Sequence, residues 1–468
     1  MKRIAIVGGG ISGLATAHYL RQGLQAASRS AELVLFEARG SPGGTMRTSR
    51  EQGFTMEWGP NGFLTNKPHS LELARQLGLS DRLLRSADLA RKRFVFSQGR
   101  MHRLAETPGA FLQSSLLSVM GRLRVLAEPF IAPPLSGEDE SVADFARRRL
   151  GSQAMEKLIE PMTAGVFAGN PDELSLASCF PRIHELETRY GGLIKAMLRL
   201  RWERRRDRDQ AGMSAGPGGV MTSFDTGVQA LVEVLAGKFS KELQLASEVE
   251  TVGYRGGKFQ LAVKTGGARS ECEADAVVVA APAYAAGALL CGLDGALSAD
   301  LERIPYAPVA VAALGYEAGA LAWPLDGFGF LVPRLEGRRI LGALWDSSVF
   351  PARAPQGQAL IRVMVGGARQ PELARLPEDE LLALVRGEIL GLMGVSAQPV
   401  LAKVFYHKRG IPQYLKGHGR LLERVSTCLA SWPRLHLNSN AYRGVSLNDC
   451  VLQSRLCAER VLRDLEIQ

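Results

Sequence analysis

The opening stretch KRIAIVGGGISGLATAHYL leaves few folds open to the chain that follows it. Lys2 to Val7 read as a buried strand, because Ile4, Ala5, Ile6 and Val7 form a short apolar run with no amphipathic period. Gly8, Gly10 and Gly13 then stand at G-x-G-x-x-G spacing, and Ile11, Leu14, Ala15 and Leu20 recur at helical intervals. A glycine-rich turn thus opens into a helix N-terminus, whose free N–H groups and positive end suit a pyrophosphate. Gly8 makes the tight turn, Gly10 admits the phosphate close to the backbone, and Gly13 lets helix pack on strand. A second strand, ELVLFE, ends on Glu37, twenty-four residues past Gly13, where a carboxylate accepts hydrogen bonds from ribose hydroxyls. Strand, turn, helix, strand and terminal acid in this order describe a dinucleotide-binding unit rather than an isolated glycine-rich turn.

Beyond Glu37 the text EARGSPGGTMRT brings a second glycine pair, Gly43 and Gly44, where the backbone again passes close to a cofactor. Here the sequence resembles the two-dinucleotide-binding-domain flavoproteins, the superfamily of amine oxidases, phytoene desaturases and protoporphyrinogen oxidases. Their N-terminal pattern runs E-A-x-x-R-x-G-G-x-x-x-T, and Ser41 stands here where arginine is usual. The resemblance implies FAD, held by Gly8, Gly9, Gly10, Ile11, Ser12, Gly13, Glu37, Ala38, Gly43, Gly44 and Thr45. It also places Gly59, Pro60, Asn61 and Gly62 along the flavin, although a plain surface turn accounts for their composition. Val249 meets the adenine through its backbone, and Val445, Ser446 and Leu447 open a final helix at the flavin's pyrimidine edge. No metal is implied.

The implied fold class is α/β, α+β overall: a discontinuous Rossmann-like FAD domain, a mixed-sheet substrate domain and a helical domain with a membrane-contacting surface left open. Segments 1–90, 222–298 and 419–468 form the FAD domain, 91–208 the helical domain and 299–418 the substrate sheet. Residues 67–90 carry helical spacing that ends near Gly78, and RKRFVFSQGRMHRLAE reads as a hairpin turning at Gln98 and Gly99. From there to 208 the pattern is helical, with one helix over GAFLQSSLLSVMGRLRVLAEPF and breaks at Pro133, Pro134 and Gly137. Residues 211–221 read as a loop, and VAVAALGYE, GFGFLVPR, ILGALWDS and ALIRVMVGG as strands before the helix EDELLALVRGEILGLM.

Net charge of +10 invites anionic partners, but no zinc or RNA-binding motif accompanies it, and nucleic acid is not expected. The basic stretch 195–210 reads either as a solvated helix end or as a surface drawn to anionic membrane. Six scattered cysteines without a C-x-x-C pair fit a reducing compartment, and a core strand from residue 3 leaves no room for a leader. No apolar run is long enough to span a membrane. The expected location is cytoplasmic, with peripheral contact on the membrane's inner face left open.

GVFAGNPDELS, SCFP, GFGFLVP, FPARAP, VGGARQPEL, IPQY and GVSLNDC narrow the resemblance to the oxygen-dependent protoporphyrinogen oxidases, from end to end of the chain. That resemblance implies oxidation of protoporphyrinogen IX by FAD, with O2 as acceptor and hydrogen peroxide as product. Coproporphyrinogen III is the alternative substrate, and an amine oxidase, a carotenoid desaturase or a porphyrin carrier the more distant readings. It places the macrocycle between Leu331, Leu344 and Met364, a propionate on Arg93, backbone at Gly165 and Gly169 against the ring, and Asn61 as an orienting amide. On the residues themselves, the three apolar side chains fit ordinary core and Arg93 a solvent-facing charge. A homodimer and hand-over to a chelatase remain open.

Overall fold

The structure is a computed structural model that describes residues 1–132, 139–206 and 219–466. A parallel five-stranded sheet runs in the order Leu243–Gln244, Ala31–Phe36, Lys2–Val7, Ala276–Val279 and Leu435–Leu437. The apolar run of the first strand is explained by its place in the middle. Ile4 and Ile6 enter a core with the helices Ile11–Ala26, Gln229–Lys238 and Leu447–Asp464, while Ala5 and Val7 enter the core on the other face. That second core is closed by the helices Ala283–Leu290, Gly295–Glu302 and His418–Ala430 and by the antiparallel sheet Ser247–Arg255, Lys258–Thr265 and Ala268–Ala274. At about 1.5–3 kcal/mol for each fully buried Leu, Ile or Val, the two cores fix this strand order. Asn438 ties it together by donating to Thr16 Oγ1 and Ser454 Oγ, on the first and last helices.

The second sheet has seven strands, in the order Leu401–Pro412, Tyr306–Glu317, Gln358–Gly366, Gly342–Trp345, Gly329–Leu331, Arg93–Ser97 and Arg100–Arg103. One face packs on the helix Glu378–Met393 through Leu381, Val385 and Ile389. The hairpin expected within the helical segment 91–208 instead extends this sheet, with Arg93–Val95 parallel to Gly329–Leu331.

One expected helix ends where its spacing does, near Gly78, and another is divided. Residues 67–90 are helical over His69–Gln76, which ends before Gly78 at a φ of +75°, and a short strand, Leu83–Arg85, follows. The stretch 108–130 is two helices, Pro108–Gln113 and Val119–Leu126, because Thr107 and Ser118 each cap a new N-terminus. Pro133, Pro134 and Gly137, and residues 211–218 of the expected loop, lie outside the described residues.

Candidate flavin site and substrate face

The carboxyl end of the strand Lys2–Val7 meets the N-terminus of the helix Ile11–Ala26 as the glycine spacing requires. Gly8 takes a φ of +113°, and a Cβ there would stand 2.8 Å from the Ala280 carbonyl oxygen. A Cβ on Gly13 would stand 1.9 Å from the Gly8 oxygen, so the turn itself excludes a side chain. Gly10 differs. It has an ordinary φ of −76°, and no atom lies within 4 Å of where its Cβ would be. No side chain caps this helix, and its first turn holds no acid. Open space above uncapped amides is the cradle a pyrophosphate fills, so the residues present fit FAD.

The remaining expected cofactor residues gather round that space. Gly43 donates to the Gly9 carbonyl at 2.9 Å and lies in register with Gly10, with Gly44 beside it. Glu37 is 9% exposed; its Oε2 accepts from Gly9 N–H at 2.8 Å and its Oε1 from Arg39 N–H at 2.9 Å. Ser247, two residues before Val249, donates its N–H to the Glu37 carbonyl. Ala38 and Thr45 are exposed, and a Cβ on Gly59 would come 3.0 Å from the Thr45 oxygen. The turn Gly59–Pro60–Asn61–Gly62 then leads into Phe63–Leu64, where Leu64 O accepts from Asn448 Nδ2 at 2.9 Å. Ser446 caps the final helix, Leu447 is buried in the first core, and Val445 packs beside Phe167 and Tyr414.

Side chains of the seven-stranded sheet hold this turn from the other side. Arg362 Nη1 donates to the carbonyls of Gly59 at 2.8 Å and Glu57 at 3.2 Å, and His407 Nε2 donates to the Trp58 carbonyl at 2.7 Å. Burial keeps His407 below the usual imidazole range, outweighing its bond to Trp58, and the neutral ring carries its proton on Nε2. Asn61 Nδ2 donates to Asp346 Oδ1 at 3.1 Å. Below the turn, Glu57 faces Arg353; burial raises its carboxyl above the ordinary range, while Arg353, the Thr48 hydroxyl and Val228 N–H pull it back.

Register places four of the expected substrate residues on one face of this sheet. Arg93 pairs with Gly329, Gly329 with Leu344, and Leu344 with Arg362; the rung two residues on runs Leu331, Gly342, Met364. Residues two apart share a face, so Arg93, Leu331, Leu344, Arg362 and Met364 all point away from the helix Glu378–Met393. Leu331, Leu344 and Met364 are half-buried, and Arg93 is exposed, its guanidinium 5.4 Å over the Phe328 ring. Gly165, in the helix Glu160–Phe167, comes within 2.9 Å of Leu331 Cδ2, measured from where a Cβ would be. Gly169 is buried instead against Gln413 and Leu174, which accounts for a glycine there by packing.

Sequence reading missed Asp346, Arg362, Arg353 and His407. The signal was present in ALIRVMVGG: an arginine inside an otherwise apolar strand must find a buried partner. Among the described residues, no group of acidic, histidine or cysteine side chains could hold a metal ion.

The geometry agrees with the comparisons to known proteins. Residues 11–462 match the family of flavin containing amine oxidoreductases. The chain is 28% identical to the coproporphyrinogen III oxidase of Bacillus subtilis (strain 168), over 98% of each. It is 31% identical to the chloroplastic protoporphyrinogen oxidase of Oryza sativa subsp. japonica, over 95% of this chain and 85% of that one. A solved protein of Exiguobacterium sp. 255-15, provisionally named protoporphyrinogen oxidase, superposes with a TM-score of 0.83 at 26% identity over 99% of both chains. With a family match over almost its whole length, the chain belongs to the flavin containing amine oxidoreductases and is an FAD-dependent oxidoreductase.

Proposed function

We propose that this enzyme oxidises protoporphyrinogen IX to protoporphyrin IX with O2 as final acceptor. One observation carries the choice of substrate: the cations of the slot face. Arg93 makes no ion pair among the described residues, whereas Arg362 is paired with Asp346 at 2.8 Å and Lys403, in register with Ala313, with Glu51 at 3.0 Å. A puckered, mostly apolar tetrapyrrole with two propionates matches three half-buried apolar side chains and two guanidiniums without an ion pair among the described residues, Arg93 and Arg100, the latter in register with Ser97. Relatives named for this activity support the reading.

When bound, FAD accepts hydride and is reoxidised by O2 with release of hydrogen peroxide. Gly8 to Gly13 would hold its pyrophosphate, Glu37 its ribose, and the turn Gly59–Gly62 its ring. The apolar strands hold the macrocycle and keep water from the reacting methylene bridge. Neighbouring pyrrole nitrogens stabilise the developing cation, so the protein needs no strong base.

Coproporphyrinogen III is the second reading, favoured by the Bacillus subtilis relative, which matches over 98% of both chains. The test is aerobic incubation of the flavin-loaded enzyme with each porphyrinogen, following porphyrin fluorescence and peroxide. Oxidation of neither, with turnover of a primary amine or a carotenoid precursor, overturns the proposal.

We also propose that the helical segment rests on an anionic membrane surface. Leu112, Val119, Met120, Leu123, Leu126 and Phe130 are exposed, Phe130 at 89%, and exposed Lys195, Arg199 and Arg201 lie on the helix Leu193–Arg206. Among the described residues no helix is long and apolar enough to cross a membrane. Salt-sensitive co-sedimentation with phosphatidylglycerol vesicles, lost on Phe130→Ser with Met120→Ser, tests it; binding unchanged by both substitutions contradicts it.

A further inference from the structure

Two buried charges on the slot face play no part in the chemistry above. Arg362, 2% exposed, stands two residues before Met364, and Asp346, 1% exposed, follows the strand Gly342–Trp345. Arg362 Nε lies 2.8 Å from Asp346 Oδ2, and its Nη2 donates to Oδ1 at 3.3 Å. A buried pair of this kind is often no more than a structural device, worth little against well-packed apolar residues. Its attachments are unusual, however. Arg362 spends its other nitrogen on the carbonyls of Glu57 and Gly59, while Asp346 Oδ1 also accepts from Asn61 Nδ2. The pair therefore grips the turn Gly59–Gly62 at its first carbonyl and at its one side-chain amide.

The carboxylate also decides which way that amide points. Turned over, Asn61 would set its own oxygen against Asp346 Oδ1, acceptor against acceptor. In the orientation held, Oδ1 is the end left over: it is buried, with no hydrogen-bond partner, in a residue that is 8% exposed. A buried acceptor without a donor is costly in the free protein and is satisfied when a ligand brings an N–H to it. We propose that Asp346 and Arg362 are positioning residues that fix Asn61 with its Oδ1 as the acceptor for a pyrrole N–H of the substrate. The assignment rests on the porphyrinogen reading, since it is this substrate class that carries N–H donors beside the carbon being oxidised. As a methylene bridge gives up hydride, with its electron pair, to bound FAD, positive charge spreads onto the adjacent pyrrole nitrogen. Its N–H becomes a stronger donor, and the bond to Asn61 Oδ1 tightens as the barrier is crossed; the N–H proton then leaves to water. Being neutral as a pair, Asp346 and Arg362 do this without placing a further anion-binding charge in the slot.

A double-mutant cycle separates this from a merely structural role. The variants are Asn61→Ala, Asp346→Asn and both together, each as flavin-loaded enzyme, with kcat and KM for the porphyrinogen and the Kd of coproporphyrin III from the shift of its Soret band. Asp346→Asn keeps the volume but lets either end of its amide face Asn61. The expected result is a fall in kcat of about tenfold for each single variant, with KM and Kd changed less than about threefold. The double variant should then be no slower than Asn61→Ala. If Asp346→Asn costs as much in the Asn61→Ala background as in wild type, or if porphyrin affinity falls along with kcat, the assignment is overturned. Should Asp346→Asn fail to fold, Arg362→Lys takes its place in the cycle, keeping the charge while losing the fork that holds Gly59, and the same outcomes decide. Wild-type enzyme that oxidises no porphyrinogen overturns the functional reading and this assignment with it; active wild type with an additive cycle overturns the assignment and leaves the reading intact.

Discussion

Arg353 Nη2 stands 2.7 Å from Glu57 Oε1 with both side chains at or below 1% exposure, directly beneath the turn Gly59–Gly62. Glu57 is otherwise satisfied by Thr48 Oγ1 at 2.6 Å and Val228 N–H at 3.0 Å, and Arg353 donates to Ser223 Oγ at 2.7 Å. Removing one member leaves the other charge buried without its partner. Arg353→Met should therefore lower unfolding free energy by about 3–5 kcal/mol, and pairing it with Glu57→Gln should restore part of that loss. Urea unfolding of the three variants measures both; equal stability of Arg353→Met and wild type would contradict the role given to the pair.

The glycines of the first turn should separate folding from cofactor binding. Gly10→Ala adds a methyl group to open space at an ordinary φ, so the apoprotein should keep its stability to within about 1 kcal/mol. Flavin affinity should fall at least about tenfold, because the methyl group occupies the cradle. Gly13→Ala places its Cβ 1.9 Å from the Gly8 oxygen and should yield little folded protein at all. Flavin titration and thermal unfolding of the two apoproteins distinguish these outcomes.

Acid should destabilise the fold through His436. Burial lowers its pKa to about 4, against the attraction of Asp464, and its Nε2 has no hydrogen-bond partner. A neutral histidine in the fold and a protonated one in the unfolded chain make stability fall as pH drops from about 6.5 towards 4. Full loss amounts to about 3 kcal/mol from this group. His18, His407 and His418 are lowered for the same first reason and act in the same direction. Denaturant unfolding between pH 7 and pH 4 should show a shallower decline for His436→Leu than for wild type.

Arg93 should govern substrate capture. Arg93→Ala is expected to raise KM about tenfold while flavin content and Tm stay unchanged, because the side chain is exposed and joins no ion pair. Unaltered steady-state kinetics would remove Arg93 from the slot.

The sequence discloses its fold where the controlling forces are local. The strand Lys2–Val7, its glycine turn and the helix after it follow from an apolar run, a spacing and a period, and all three lie within twenty-six residues. The strands Tyr306–Glu317 and Gln358–Gly366 are similarly legible, since central strands buried on both faces read as apolar runs. Pairing across distance is not written in this way. The hairpin at Arg93 looks self-contained, and only the register with Gly329–Leu331 reveals that it carries Arg93 to the slot face. Asn61 and Asp346 are 285 residues apart, and no periodicity in either segment announces the other. The break at Ser114–Ser118 was readable in principle, from Thr107 and Ser118 as cap residues, but the apolar spacing across it outweighed them.

The most direct measurement is kcat/KM for protoporphyrinogen IX against coproporphyrinogen III, from porphyrin fluorescence in air with the flavin-loaded enzyme. The substrates differ at two ring positions, vinyl against propionate, so the ratio reports how many anions the slot accepts. Two cations on the slot face that join no ion pair among the described residues, Arg93 and Arg100, match the two propionates of protoporphyrinogen IX and predict a clear preference for it, with peroxide formed alongside. A clear preference for coproporphyrinogen III would contradict that account of the slot and require further cations beyond Arg93 and Arg100, and turnover of neither would contradict the proposed function itself.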